Sequence, residues 1–254
     1  MSGLFRWLFV VLVTGFAFLL GTPSSAQSPS RCADCHYAQN RAPNADHLFD
    51  WDRSPHAQNN VGCEKCHGGN PAVFESSLAH RTILNSANKK SPVNRANLPA
   101  TCGGCHVGPF VNFQDSRHYE LLKTGNPNGP TCSTCHDAVA GTLLSPKALE
   151  SQCASCHGPK EIAPRAERAR KARTMYEGLS VVQKEFVLTS AMIKRVDDRQ
   201  RKADLQNEYE QARVPLVRAI DAGHKFVYDD LEQYLGVAQD RVEKLMGHIA
   251  NRAQ

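Results

Sequence analysis

All ten cysteines of the 254-residue chain fall into five Cys-x-x-Cys-His pentapeptides: Cys32/Cys35/His36, Cys63/Cys66/His67, Cys102/Cys105/His106, Cys132/Cys135/His136 and Cys153/Cys156/His157. Two thiols at this spacing reach one porphyrin edge and form thioethers with the haem's vinyl groups. The histidine that follows swings beneath the ring and binds the iron. The expected chemistry is covalent attachment of five haem c groups, with His36, His67, His106, His136 and His157 as proximal iron ligands. Disulfide frameworks and zinc ribbons also use paired cysteines. Neither explains why a histidine follows the second cysteine in all five cases, nor why ten cysteines form five identical pairs.

What fills the sixth position of each iron separates a carrier from a catalyst. Six histidines remain outside the motifs: His47, His56, His80, His118, His224 and His248. His56 and His118 occupy matching places in an internal repeat, Phe49/Trp51/Ser54/His56 and Phe110/Phe113/Ser116/His118, and are expected as distal ligands. His80, in Ser77-Leu78-Ala79-His80, and His224, which continues an apolar helical row four residues before Tyr228, are expected to join them. His47 and His248 compete for the last place. For each of the six, the alternative is a histidine bonded to a backbone carbonyl or a haem propionate. Met175 and Met192 lie among helix formers, where packing is their expected role.

The elements that must position these residues divide the chain in two. Residues 27–160 carry every cysteine, few aliphatic residues, and Gly and Pro at short intervals (Gly62, Gly68, Gly69, Pro71, Gly103, Gly104, Pro109, Gly125, Pro127, Gly129, Pro130). This predicts short helices and loops around a core supplied by the haems themselves, and an apo-chain that is largely unfolded. The 31 positions from Cys32 to Cys63 and the 30 from Cys102 to Cys132 suggest two related two-haem modules joined by 68–101, with a fifth haem appended. Residues 161–254 are dense in charge and helix formers. Met175, Leu179, Val182, Phe186, Thr189, Ile193 and Val196 follow 4-3 spacing, as do Tyr228, Leu231, Leu235, Ala238, Val242, Leu245 and Ile249. Leu205, Tyr209, Ala212 and Leu216 lie between, with Pro164 expected in the first turn of the opening helix and Pro215 and Gly223 as breaks. The fold class expected is mainly α, with few regular elements in a haem-packed domain and a long-helix hairpin or bundle behind it. The basic run Arg165, Arg168, Arg170, Lys171, Arg173 reads as a solvated helix face rather than a docking patch.

Arg6, the 14-residue apolar run Trp7 to Leu20, and Ser24-Ser25-Ala26 before Gln27 compose a cleaved export signal over 1–26. The run is shorter than the ~20 residues of a spanning helix. A mature, non-spanning protein in a bacterial periplasm or beyond the cell is expected. The formal charge of +5 does not imply a nucleic-acid partner. Loss of Arg6 and about −1 from each ferric haem bring the mature protein to roughly −1 oxidised and −6 reduced.

The run Trp51-Asp52-Arg53-Ser54-Pro55-His56-Ala57 between the first two motifs resembles the multihaem cytochromes grouped with cytochrome c-554, a superfamily that includes pentahaem nitrite reductase and hydroxylamine oxidoreductase. Cys66-His67-Gly68-Gly69-Asn70-Pro71 with Ala79-His80 is similar to their Cys-His-Gly-Gly-Asp-Pro…Ala-His segment, and Asp115-Ser116-Arg117-His118 to their Ser-Val-His segment. The likeness covers about 30–160; Ala222-Gly223-His224 matches loosely. It implies close haem pairs, electrons hopping between them, and distal ligation by His56 and His118. Two departures stand out. Asp137-Ala138-Val139-Ala140-Gly141 follows the fourth motif where members often place another histidine. There is also no Cys-x-x-Cys-Lys, the mark of the catalytic haem in many pentahaem nitrite reductases.

Two functions fit. One is an electron carrier passing electrons along mostly bis-His haems between redox proteins (other cytochromes, a quinol dehydrogenase or a terminal reductase), with the helical tail as a surface for homo-oligomers. The other is an oxidoreductase acting on a small nitrogen or sulfur oxyanion at one five-coordinate haem, with Arg53, Arg117, Tyr119 and His47 as pocket candidates. A haem-based gas sensor is the poorest fit, since no signalling domain follows and five haems exceed what sensing needs.

Overall fold

The computed structural model describes residues 30–39, 45–137, 139 and 143–251; the expected export signal lies outside them. Every regular element among the described residues is a helix, so the fold is mainly α, as the sequence predicts. Up to His157 the helices are short: α1 (Arg31–Gln39), α2 (Ala45–Asp52), α3 (Pro55–Gln58), α4 (Glu64–His67), α5 (Ser76–Ala79), α6 (Leu98–Gly103), α7 (Val107–Gln114), α8 (Arg117–Lys123), α9 (Cys132–His136) and α10 (Pro146–His157). Segments of this length are marginal as isolated helices and depend on packing. Their own apolar packing is thin: Ala33, Trp51 and Ala57 form one small cluster with Leu48, Cys63 and Val139 against it. Phe113, Leu122 and Leu149 are buried elsewhere, while Phe49, Phe74, Val107 and Val111 are exposed.

Three long helices follow: α11 (Ala166–Lys194), α12 (Arg199–Lys225) and α13 (Tyr228–Asn251). Their connections are only a few residues long, which makes consecutive helices antiparallel neighbours, and all three pairs are in contact. The 4-3 rows read from the sequence become the bundle core. Val182, Phe186 and Ile193 of α11 and Leu231, Leu235, Ala238, Val242, Leu245 and Ile249 of α13 are buried with Leu205, Ala212, Leu216, Ala219 and Ala222 of α12. The one polar member of the α11 row, Thr189, is fully buried and gives its hydroxyl proton to the Glu185 carbonyl at 2.7 Å.

Two expected breaks do not occur. α12 runs through both Pro215 and Gly223. Proline lacks an N–H and leaves the carbonyl four residues back without its helical donor. Here that carbonyl, on Gln211, accepts from the Arg241 guanidinium of α13 at 3.1 Å, so the neighbouring helix supplies the missing bond. Arg241→Ala is expected to cost about 0.5–1.5 kcal/mol. In a Pro215→Ala background the cost should nearly vanish, because an alanine at that position restores the donor; denaturant unfolding of the four proteins measures this coupling. α12 ends instead at Phe226, in the left-handed region at φ 61°, whose N–H caps the Ala222 and Gly223 carbonyls. Pro164 also falls just outside its helix, with Arg165 at the N-cap position.

The bundle is joined to the cysteine-rich region along α7 against α12 and α10 against α11. Asn112 donates its side-chain N–H to Asp221 at 2.6 Å, and Lys225 pairs with Asp115 at 3.1 Å. Part of the basic run is used within the chain. Lys171 pairs with Asp229 and Glu232, and Arg173 with Glu150 and Glu177. Exposed pairs of this kind orient helices more than they stabilise them.

Candidate haem sites

Each motif begins on or beside a helix of the cysteine-rich region: α1, α4, α6, α9 or α10. After the second motif, the glycine pair makes the local geometry possible. Gly68 and Gly69 have φ values of +75° and +89°, and a Cβ on Gly69 would stand 2.9 Å from the Ala79 carbonyl. That close approach lets Asn70 N–H bond to the same carbonyl at 2.9 Å and Gly69 N–H to Thr82 Oγ1 at 2.9 Å, which folds the segment carrying His80 back onto the motif.

The Ser-x-His repeat is also a structural repeat. Ser54 caps α3 and Ser116 caps α8. Each hydroxyl donates at 2.6 Å to the carbonyl three residues back, on Trp51 or Phe113, and accepts from the backbone N–H three residues on. With both serines and both aromatics buried, His56 and His118 emerge from the second helical position in the same way.

The histidine rings form five pairs, each joining one motif histidine to one histidine from elsewhere in the chain. Centroid separations are 5.8 Å for His36–His80, 5.9 Å for His67–His47, 6.1 Å for His106–His56, 6.1 Å for His136–His224 and 6.0 Å for His157–His118. The His136 and His224 planes are parallel to within 4°, and the other four pairs are steeply inclined. Two imidazoles bonded to one metal from opposite sides, at about 2 Å per bond, place their centroids roughly 6 Å apart. The spacing therefore fits an iron between each pair. Four-ligand zinc cages have no counterpart: among the described residues, no group of three or more His, Cys, Asp or Glu is arranged to hold a metal ion.

Backbone carbonyls hold many of these rings by Nδ1. His80 contacts the Ser76 carbonyl at 2.8 Å, His56 the Val139 carbonyl at 3.3 Å, His224 the Ile220 carbonyl at 2.8 Å and His157 the Ala163 carbonyl at 2.9 Å. A proton held on Nδ1 by a carbonyl leaves the Nε2 lone pair free for a metal. Burial lowers the pKa of His67 and His136, with the facing histidine adding to the effect in each. Burial, His157 and Arg168 take His118 down to about 4. The neutral form that binds metals is the one present at pH 7.

His248 stands apart from this arrangement. It is exposed on α13 and bonds Glu208 at 2.7 Å, whereas His47 on α2 faces His67. The sequence left these two equal because neither row nor repeat reaches His47. His224 does occur in the helical tail but lies in the last turn of α12, not on the row of α13 that contains Tyr228.

The cysteines follow one another in space as in sequence, and no two of them are joined in a disulfide. Ser30 bonds both Cys32 and Cys63; Cys66 lies within electrostatic reach of Cys102 and Cys105. Cys102 and Cys132 lie close enough for their thiols to couple, which pushes Cys102 up and draws Cys132 down. Burial pushes Cys135 up to about 11, with Cys153 adding to the shift. Because the thiolate is the reactive form, Cys135 is less reactive in this fold than in an open chain.

Two of the expected haem anchors, Cys35 and Cys156, have their sulfurs contacted by side chains of their own helices. Cys35 is exposed on α1, and its sulfur accepts from the Gln39 amide one turn later at 3.1 Å. Cys156 is half-buried on α10, and the Ser155 hydroxyl approaches its sulfur at 3.9 Å. Helical spacing causes the first contact, since residues four apart share a face, and chain adjacency causes the second. Sulfur is a weak acceptor, so both contacts yield readily to a porphyrin edge.

The family model for cytochrome c554 and c-prime matches residues 20–68, a stretch that spans the first two motifs. No curated protein and no solved structure matches the chain significantly. The family match supports a c-type cytochrome, a class that carries covalently bound haem and redox chemistry. Among the described residues, no helix is long and apolar enough to cross a membrane.

Proposed function

We propose that the chain is an exported pentahaem electron carrier in which every iron is held by two histidines. The ligand pairs are His36/His80, His67/His47, His106/His56, His136/His224 and His157/His118. The ten motif cysteines, Cys35 and Cys156 among them, anchor the haems, and His248 is not a ligand. The observation that carries this reading is the one-to-one pairing of all five motif histidines with five of the other six, at the spacing one iron requires. Haem supplies reversible one-electron chemistry between ferric and ferrous iron.

The chain's own residues then do three things. The Nδ1 carbonyl contacts fix ring orientation, so that the same ligands serve both oxidation states. Histidines kept neutral by burial present a lone pair rather than a proton. The consecutive neighbouring of motifs one to five keeps each site next to the following one, as an electron relay between redox proteins needs. The enzyme reading requires an iron without a second protein ligand, and no ring pair is left incomplete. In solution after export, with the signal near Ala26 removed, partners would be one-electron donor and acceptor proteins.

The test is low-temperature EPR of the fully oxidised protein with a pyridine haemochrome count. Five haems per chain, all low-spin, is the expected result. A high-spin signal from about one haem in five would overturn full bis-histidine ligation and favour a catalytic site.

A further inference from the structure

His118 differs from His56, His80 and His224 in what its second ring nitrogen meets. Its Nδ1 is buried and has no hydrogen-bond partner. The ring packs against Phe226 at a centroid distance of 4.2 Å and an interplanar angle of 81°, and Phe113 packs on Phe226 from another side at 6.5 Å. Phe226 is the left-handed residue that ends α12, at φ 61°. For a bulky side chain this conformation costs ~1 kcal/mol or more and persists only where the surroundings over-determine it. A glycine or asparagine would end the helix with less strain but would not place an aromatic ring over His118. Charge near the ring acts in the same direction: the Arg168 guanidinium is felt at His118, while Asp115 is neutralised by Lys225.

We propose that Phe226 is a positioning residue that denies His118 a hydrogen-bond acceptor and so raises the reduction potential of the haem at Cys153/Cys156/His157 above the value it would have with an acceptor there. This rests on the ligation of that iron by His118 and His157 proposed above. A ligating imidazole whose other N–H is given to a carbonyl becomes a stronger donor and favours ferric iron. On this iron His157 has such a carbonyl, on Ala163; His118 has an aromatic ring instead. Weaker donation from His118, an apolar neighbour at its buried nitrogen and a nearby positive charge all favour ferrous iron.

The experiment is a spectroelectrochemical titration of the holoprotein, with EPR on the same samples, for wild type, His118→Met, Phe226→Asn and Phe226→Leu. Methionine ligation raises a haem potential, so H118M marks the component belonging to this site. Asparagine accepts the left-handed backbone and brings an amide oxygen; leucine keeps the site apolar. The expected result is that H118M moves one component of the wild type to higher potential. F226N shifts that component negative with all five haems still low-spin, F226L leaves it in place, and the other four stay put. If F226N leaves the marked component unmoved, or F226L moves it as far, the proposal is overturned while the ligation stands. If H118M moves none, His118 is not a ligand, and the pairing falls together with the proposal. Should F226N fail to fold, Phe226→Gly, which accepts the left-handed backbone and opens Nδ1 to water, is expected to shift the same component negative, and no shift overturns the proposal.

Discussion

Prepared without haem attachment, the chain is expected to keep its three long helices and lose ordered structure from residue 30 to 157. Ordering each residue costs about 1–2 kcal/mol in backbone entropy, and a fully buried large apolar side chain returns about 1.5–3 kcal/mol. Residues 166–251 set a continuous core of fourteen buried side chains against that cost. The region before them has one cluster of three and isolated Phe113, Leu122 and Leu149. Its turns and caps are well hydrogen-bonded, but each such bond contributes only about 1 kcal/mol net. Hydrogen exchange of the haem-free chain is the measurement. Protection confined to α11–α13 is expected, and equal protection in α1–α10 would show that the short helices are held by something other than haem.

The second large effect separates two histidines that look alike in sequence. His47→Ala is expected to convert one haem in five from low-spin to high-spin, because it removes the ring facing His67 at 5.9 Å. His248→Ala is expected to leave all five low-spin and to cost under ~1 kcal/mol, since it removes only an exposed pair with Glu208. EPR of the two oxidised variants gives the answer. The reverse pattern would assign the fifth distal position to α13 and overturn the pairing at the second motif.

The Cys-x-x-Cys-His motifs are legible because they are local: each pentapeptide is complete within five residues. The Ser-x-His repeat was legible because the same cap recurs at Ser54 and Ser116. The rows of α11 and α13 could be read because they keep one helical period for their whole length. What could not be read depends on partners outside the motif itself. The sulfur contacts of Cys35 with Gln39 and of Cys156 with Ser155 appear only once α1 and α10 are built. Pro215 signals a break to any local rule, and only Arg241 on another helix shows why none occurs. Gly223 likewise looked like an end, but its helix continues to a left-handed phenylalanine, a residue no local preference selects. The ring pairs are hardest of all. His56 reaches past the second motif to the third and His118 past the fourth to the fifth, so neither faces the motif that follows it.

The placement of His224 on α12 has a consequence for assembly. On the proposed pairing, four of the five ligand pairs are complete once residue 157 has been made, because both members of each lie at or before it. Only His136 waits for a partner from the tail, 88 positions later. A chain made from its N-terminus therefore finishes its fourth iron last, and only after α12 has docked against α7. That iron's coordination state records whether the C-terminal helices have arrived, so a truncated or misfolded tail would announce itself as a single open haem in an otherwise finished molecule.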